Sequence, residues 1–199
     1  MSTALTDDAL DTLFRNARSQ NGWQDRAVSD DQLRAIYALM KWGPTSANQS
    51  PARFVFLRTA AAKARIKPFL LPSNVDKVIT APAVAIIGHD LAFYEHLPRL
   101  FPHNPAARDW FAGAANQIAA ATSAVRNGTL QGAYLMIAAR ALGLDCGPMS
   151  GFDNAGVDRE FFAGTAVKSN FICGLGHGDA TKIYARSPRF EFNEVCSLL

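Results

Sequence analysis

Residues 29–57, SDDQLRAIYALMKWGPTSANQSPARFVFL, run through an amphipathic helix, a polar elbow and a strand without a break. Ser29 and Gln32 have the spacing of a capping box, and Asp30 and Asp31 fall where the helix dipole favours negative charge. Leu33, Ile36, Tyr37 and Met40 recur at i, i+3, i+4, i+7, so one face is apolar. Gly43-Pro44 ends the helix, because proline has no N–H and disfavours helical geometry in the residue before it. Thr45-Ser46-Ala47-Asn48-Gln49-Ser50-Pro51 then supplies donors and acceptors between two hydrophobic elements, and Phe54-Val55-Phe56-Leu57 reads as a strand. A polar tract in that position is either a ligand cradle or an ordinary helix-to-strand loop, and the residues alone leave both open.

The 199 residues suit a single domain, residues 1–199, with enough chain to bury roughly 70% of its unfolded surface. With 49% hydrophobic and 19% charged residues, the composition is that of a filled core. A formal charge of +3, with Lys and Arg scattered, gives nucleic-acid binding no support and suits small anionic ligands. Cys146, Cys173 and Cys196 are odd in number, far apart and without CxxC spacing, which reads as reduced thiols. The acidic stretch MSTALTDDALDTLF lacks the basic n-region of a signal peptide, and no apolar run approaches the ~18 residues of a membrane span. The expectation is a soluble, cytoplasmic protein without membrane contact.

Thr6 caps a first helix with Leu10, Leu13, Phe14 and Ala17 on one face, which frays at the polar patch Arg18-Ser19-Gln20-Asn21-Gly22-Trp23. Thr59 opens an Ala-rich helix ended by Pro68. Ser73 with Asp76 has capping-box spacing for the next, which puts Asn74 and Lys77 on one face. Residues 83–87, AVAII, form a continuous apolar strand. Residues 91–111 mix aromatics, prolines, His and Arg without periodicity and read as a surface excursion. His96 and His103 have no Cys or carboxylate at ligand spacing, so no metal site is expected.

Residues 114–142 are rich in small side chains and charged only at Arg126 and Arg140. That implies a long helix buried on most sides and shared with a second subunit. Gly143 terminates it. Residues 144–153, LDCGPMSGFD, read as a second elbow, and residues 169–176 as the last internal strand. The run Gly174-Leu175-Gly176-His177-Gly178-Asp179 imitates a Rossmann fingerprint, but Asp179 stands where the third glycine belongs, so it reads as a chain turn. Residues 190–195 alternate apolar and polar, which suits an edge strand.

Four segments together carry a family resemblance: TLFRNARSQNGW (12–23), IYALMKWGPTSAN (36–48), GPMSGFD (147–153) and KIYARSPR (182–189). In wording, order and spacing the chain resembles the FMN-dependent nitroreductase family, and within it the malonic semialdehyde reductases of pyrimidine breakdown. The resemblance implies an α+β fold, a small mixed sheet surrounded by helices, in an interlocked homodimer. FMN would lie in clefts at the subunit interface, with the C-terminal arm crossing to the partner. Arg18, Ser19 and Arg186, aided by Lys182, would clamp the flavin phosphate. Asn21 stands where a second basic residue is common. The elbow residues Pro44, Thr45, Ser46 and Asn48 would hold the ring. Asn74 and Lys77 would meet the polar edge of its pyrimidine, where a cation suits the charge of reduced flavin. The backbone of Pro148, Met149, Ser150 and Gly151 would lie against it, Ser150 replacing a common Glu.

The same resemblance implies ping-pong hydride transfer from NADPH or NADH through FMN to a small-molecule electrophile. The cofactor carries the chemistry, so no catalytic side chain is expected. Malonic semialdehyde, giving 3-hydroxypropionate, is the first substrate; nitroaromatics, quinones and enones are the broad alternative. A flavin-binding module without turnover is the alternative of another class. The carboxylate of malonic semialdehyde calls for a cation, since an unpaired charge in a dry site is costly. Arg99 and Arg108 in the excursion are the candidates, with Arg108 favoured for its neighbours Trp110 and Phe111.

Overall fold

The computed structural model describes residues 3–199. Thr6 caps α1 (Asp7–Leu10) by accepting from Ala9 N, and the coil continues in a wider winding to Arg15. In α2 (Asp30–Met40) the capping box is complete: Gln32 N donates to Ser29 Oγ, and Ser29 N donates to Gln32 Oε1. Leu33, Ile36 and Met40 are buried, while Tyr37 stays exposed at the edge of the face. The elbow leads into β1 (Ala52–Leu57), and Thr59 caps α3 (Ala60–Ile66) through Ala62 N.

Next, α4 (Pro72–Ile79) begins one residue before the expected cap, with Leu71 as N-cap and Ser73 inside the helix. Proline at the first helical position needs no N–H partner and has its φ already set, so Pro72 starts the helix and the Ser73 capping box does not form. After β2 (Ala83–Asp90) come short turns, including α5 (Leu97–Leu100), and then the long α6 (Gln117–Ala141). The chain closes with β3 (Asp145–Met149), α7 (Asn154–Phe161), β4 (Val167–Gly176) and a single turn, α8 (Phe192–Val195).

The strands lie in the order β1-β2-β4-β3, and all three neighbouring pairs are antiparallel. The mixed character expected of the sheet is confined to one parallel bridge, Ser19 with Cys146, beyond β3. Two segments differ from their expected form. Residues 145–149 are strand, so the second elbow shrinks to residues 150–153. Within residues 190–195 the chain forms an exposed helical turn, Phe192–Val195, because Glu191 and Glu194 close a local capping box and no strand among the described residues pairs with it.

β2 is buried on both faces, and its alternation divides two cores. Val84 and Ile86 join Trp23, Ile66, Val78 and Phe152 on one side. Ala83, Ala85 and Ile87 join Leu33, Ile36, Leu135 and Cys173 on the other, under α2 and α6. α6 approaches closely because Gly132 has no side chain: a Cβ there would sit 2.4 Å from the Phe171 ring. The stretch expected as a surface excursion is partly core, since Phe93, Leu97 and Ala107 are fully buried against Ala120 and Ala124 of α6. No helix among the described residues is long and apolar enough to cross a membrane.

Candidate functional site

Trp23 builds the site. Its indole is 8% exposed and lies across glycines of β3 and β4. A Cβ on Gly147, Gly174 or Gly176 would stand 3.2, 2.5 or 3.0 Å from the ring. The glycine run rejected as a dinucleotide fingerprint therefore makes a floor for an aromatic. Nε1 of Trp23 donates to the Lys77 carbonyl at 2.9 Å, which ties α4 to the same point. Gln20 N donates to Cys146 O, so residues 19–23 run beside β3 and carry Arg18 and Asn21 to the protein surface.

There, a cleft of about 540 Å³ is bordered by Arg18, Ser19, Asn21 and Arg186. Arg18 Nη2 donates to Tyr184 O, and Arg186 Nη2 donates to Arg15 O and Ala17 O at 2.7 and 3.2 Å. Each arginine thus holds the other's segment, and the two ends of the chain close on one cavity. Asn21 Nδ2 donates to Lys182 O at 3.3 Å and steadies the turn. Lys182 itself is not brought to the cleft. Its stem packs against Gly22, and its Nζ lies 3.8 Å from Asp179 Oδ2. Arg140, Arg189, Phe14 and Tyr184 border the cleft as well and were missed in the sequence. Arg140 carried a signal, as one of two charges in an otherwise neutral helix.

A second group forms where α4 meets the turn after β3. Asn74 is buried, and its Nδ2 donates to Gly151 O at 3.0 Å, as does Leu71 N. A Cβ on Gly151 would sit 2.6 Å from that Nδ2 and break the contact. Lys77 Nζ has no ion-pair or hydrogen-bond partner among the described residues. Pro148 and Ser150 are exposed, whereas the Met149 side chain fills the core and leaves only its backbone for a ligand.

The elbow lies elsewhere. Ser46 N donates to Asn127 Oδ1 and Asn48 Nδ2 to Leu100 O, both at 2.8 Å. Ser50 N donates to Thr45 Oγ1, and Tyr134 OH donates to Pro44 O. Ala47, Asn48 and Ser50 all have positive φ, from 41° to 48°. These bonds fasten Pro44 and Ser46 to α6 and Asn48 to α5, while Thr45 closes the elbow on itself. Among the described residues no hydrogen bond joins them to the arginine cleft, so one chain presents the two parts separately.

Arg108 is not available to a substrate. Its Nε and Nη2 donate to both oxygens of Glu95 at 2.8 Å, an arrangement that lowers the Glu95 pKa and raises that of Arg108. The donor set of the cleft fits a flavin phosphate: guanidiniums and a serine hydroxyl around a cavity, with no carboxylate lining it.

A model of the Nitroreductase family matches residues 14–177. The chain belongs to that family. This nitroreductase-family protein is 61% identical over 190 residues to a Ralstonia pickettii protein provisionally named NADH dehydrogenase/NAD(P)H nitroreductase HadB, across 96% of this chain and 97% of that one. It is 60% identical over 193 residues to a Cupriavidus pinatubonensis protein of the same description, covering 97% and 98% of the two chains. Its nitroreductase fold also matches the crystal structure of an Exiguobacterium sibiricum protein, provisionally named a nitroreductase and in complex with FMN. That match has a TM-score of 0.86 over 100% of both chains at 19% identity, which speaks to the fold alone.

Proposed function

We propose that this nitroreductase-family chain is an FMN-dependent NAD(P)H oxidoreductase whose substrate is malonic semialdehyde, reduced to 3-hydroxypropionate. The observation that carries the flavin reading is the meeting of Arg18, Ser19 and Arg186 in one cleft, with Arg18 bonded to a carbonyl 166 residues away. The NAD(P)H in the names of its relatives and the FMN of the Exiguobacterium protein support the same reading. When bound, FMN supplies hydride transfer at N5, taken from NAD(P)H and passed to the electrophile.

The protein's part is binding and placement. Arg18, Ser19 and Arg186 hold the phosphate, each charge-assisted hydrogen bond contributing roughly 1.5–3 kcal/mol. Lys77, whose ammonium is unpaired among the described residues, sets a positive charge at the pyrimidine edge, and Asn74 fixes the Gly151 turn beside it. The whole chain serves as one flavin-binding domain and works as a homodimer, in which the elbow of one subunit closes over the cleft of the other. That assembly is supported by the separation of elbow and cleft within one chain. Exposed apolar side chains beside the elbow and on α6 support it too, Trp42 at 79% and Ile118 at 84%.

The pairing of Arg108 with Glu95 favours a second reading, a broad reductase of nitroaromatics, quinones and enones, because it removes one of two cations available to a substrate carboxylate. Arg99 remains, beside the Leu100 carbonyl that Asn48 of the elbow bonds. Purified protein should be yellow and bleach on anaerobic addition of NADPH or NADH. Its kcat/KM should be highest for malonic semialdehyde when that substrate is set against a nitroaromatic and a quinone. Comparable values for all three establish the broad reductase. A yellow protein that neither nicotinamide bleaches is a binding module, and a colourless one that takes up no FMN overturns the flavin reading.

A further inference from the structure

α4 has eight residues, too few to hold a place of its own, so whatever pins it decides where Asn74 and Lys77 stand. Its N-terminal end is fixed at the Gly151 turn, where Leu71 N and Asn74 Nδ2 both donate to Gly151 O. At the other end the last carbonyls of a helix lack helical N–H partners, and here two side chains supply them. Lys63 Nζ donates to Ile79 O and, just past the helix, to Ala81 O, both at 2.7 Å. Trp23 Nε1 donates to Lys77 O at 2.9 Å, from a ring that shares a core with Val78 of α4. Of these pins, only the indole bond falls on the residue that carries the ammonium.

Trp23 is itself held from every side. Asp179 N donates to Gly22 O and Gln24 N to His177 O, so the backbone before and after Trp23 is stitched to the turn that follows β4. The ring rests on Gly147, Gly174 and Gly176, where no side chain leaves it room to tilt. What the indole holds is therefore set by the sheet. Lys77 is half-buried, so the course of its stem follows its backbone. A cation beside the pyrimidine edge favours reduced FMN, which carries more negative charge, over oxidised FMN. That preference falls as the cation moves away, because charge interactions weaken with distance.

We propose that Trp23 is a positioning residue for the flavin's redox chemistry. By holding the Lys77 carbonyl, its indole N–H sets where the Lys77 ammonium stands, and so how strongly the chain prefers reduced over oxidised FMN. The proposal rests on the flavin reading above and on the placing of Lys77 at the ring.

The test measures the midpoint potential of bound FMN in the purified holoprotein, with the Kd for oxidised FMN and thermal melts alongside. Trp23→Phe keeps an aromatic ring on the glycine floor and removes the donor. It is expected to weaken reduced FMN about tenfold more than oxidised FMN, which makes the potential about 30 mV more negative. Lys77→Met should move the potential the same way by at least as much. In the double variant the ammonium is gone, so Trp23→Phe should add no further shift while still lowering Tm. Lys63→Met, which removes the other cap of α4, should lower Tm with a smaller change in potential. If Trp23→Phe gives no folded holoprotein, Gly174→Ala drives a methyl into the ring with every group assigned to the flavin intact, and the same negative shift is expected.

A wild-type potential in Trp23→Phe, or the same shift with and without Lys77, overturns the proposal. So does an equal shift in Lys63→Met, which would make the effect a general loosening of α4. An unchanged potential in Lys77→Met overturns it too, and leaves flavin binding standing without Lys77 at the ring. A protein that takes up no FMN refutes the flavin reading, and the proposal falls with it.

Discussion

Replacing Gly174 by alanine tests the floor beneath Trp23. The new Cβ would stand 2.5 Å from Cζ2 of the indole, about 1 Å inside ordinary contact, so ring or strand must move. The ring has nowhere to go. Its other atoms rest on Gly147 and Gly176, and its Nε1 is bound to the Lys77 carbonyl. Overpacking of this kind costs about 1–3 kcal/mol. Tilting the ring far enough to lose the Nε1 bond leaves a carbonyl unpaired, for about 1–3 kcal/mol more. At roughly 2–4 °C per kcal/mol for a chain of this length, Tm should fall by about 10 °C. Trp23→Phe removes the benzo edge that the methyl strikes, so in that background Gly174→Ala should cost less than about 1 kcal/mol. Thermal and urea melts of the two single variants and the double variant measure the coupling. A Gly174→Ala protein within about 2 °C of wild type, or the same cost in both backgrounds, refutes the reasoning.

Asn127→Ala removes the acceptor of Ser46 N from a buried position; urea midpoints should report a loss of about 1–3 kcal/mol, with flavin retained less well through dialysis. Arg108→Ala frees only the exposed carboxylates of Glu95 and Asp109, so Tm, FMN affinity and kcat/KM for charged and uncharged substrates should match wild type in parallel assays. Burial lowers the pKa of His89 and of His177, the latter with help from Arg26. The folded chain then binds fewer protons than the unfolded one just below pH 6.5, so this stability is present above 6.5 and lost as pH falls through the folded values. Urea midpoints from pH 8 to 5 should show the decline, and His89→Asn should flatten it.

What could be read from the sequence was mostly local. The Ser29–Gln32 box, the Thr6 and Thr59 caps and the apolar run before Gly88 each follow from a few neighbours, and all formed. Pro148 made residues 145–149 look like a turn, yet β3 is the last strand of the sheet, and an edge strand tolerates a missing N–H. The alternation of residues 190–195 suited a strand, but alternation without a partner strand gives way to a local capping box. In the site, Arg18 and Arg186 were legible through a family pattern, because nothing in their composition says that two ends of a chain will meet. Arg189 ends the resembling segment 182–189 without any role attached to it, and Arg140 lies outside the four segments; both reach the cleft through the packing of α6 and the arm. Glu95 took Arg108 from across two irregular turns, where no period links them.

The elbow contains no glycine from Pro44 to Pro51, yet Ala47, Asn48 and Ser50 sit in the left-handed region, at about 1–2 kcal/mol each for an L-residue. Local bonds, such as Ser50 N to Thr45 Oγ1, shape the turn but do not tie it to the fold. The bonds that do come from Leu100, 52 residues further along, and from Ser123, Asn127 and Tyr134 of α6, 74 to 90 residues further along. A freshly made chain therefore cannot hold the elbow until α6 has been synthesised and docked, and the elbow is among the last features to set and the first to open. In hydrogen exchange the Ser46 amide should become protected only together with the middle of α6, so a segment that reads as one loop in the sequence behaves in time as part of a distant helix.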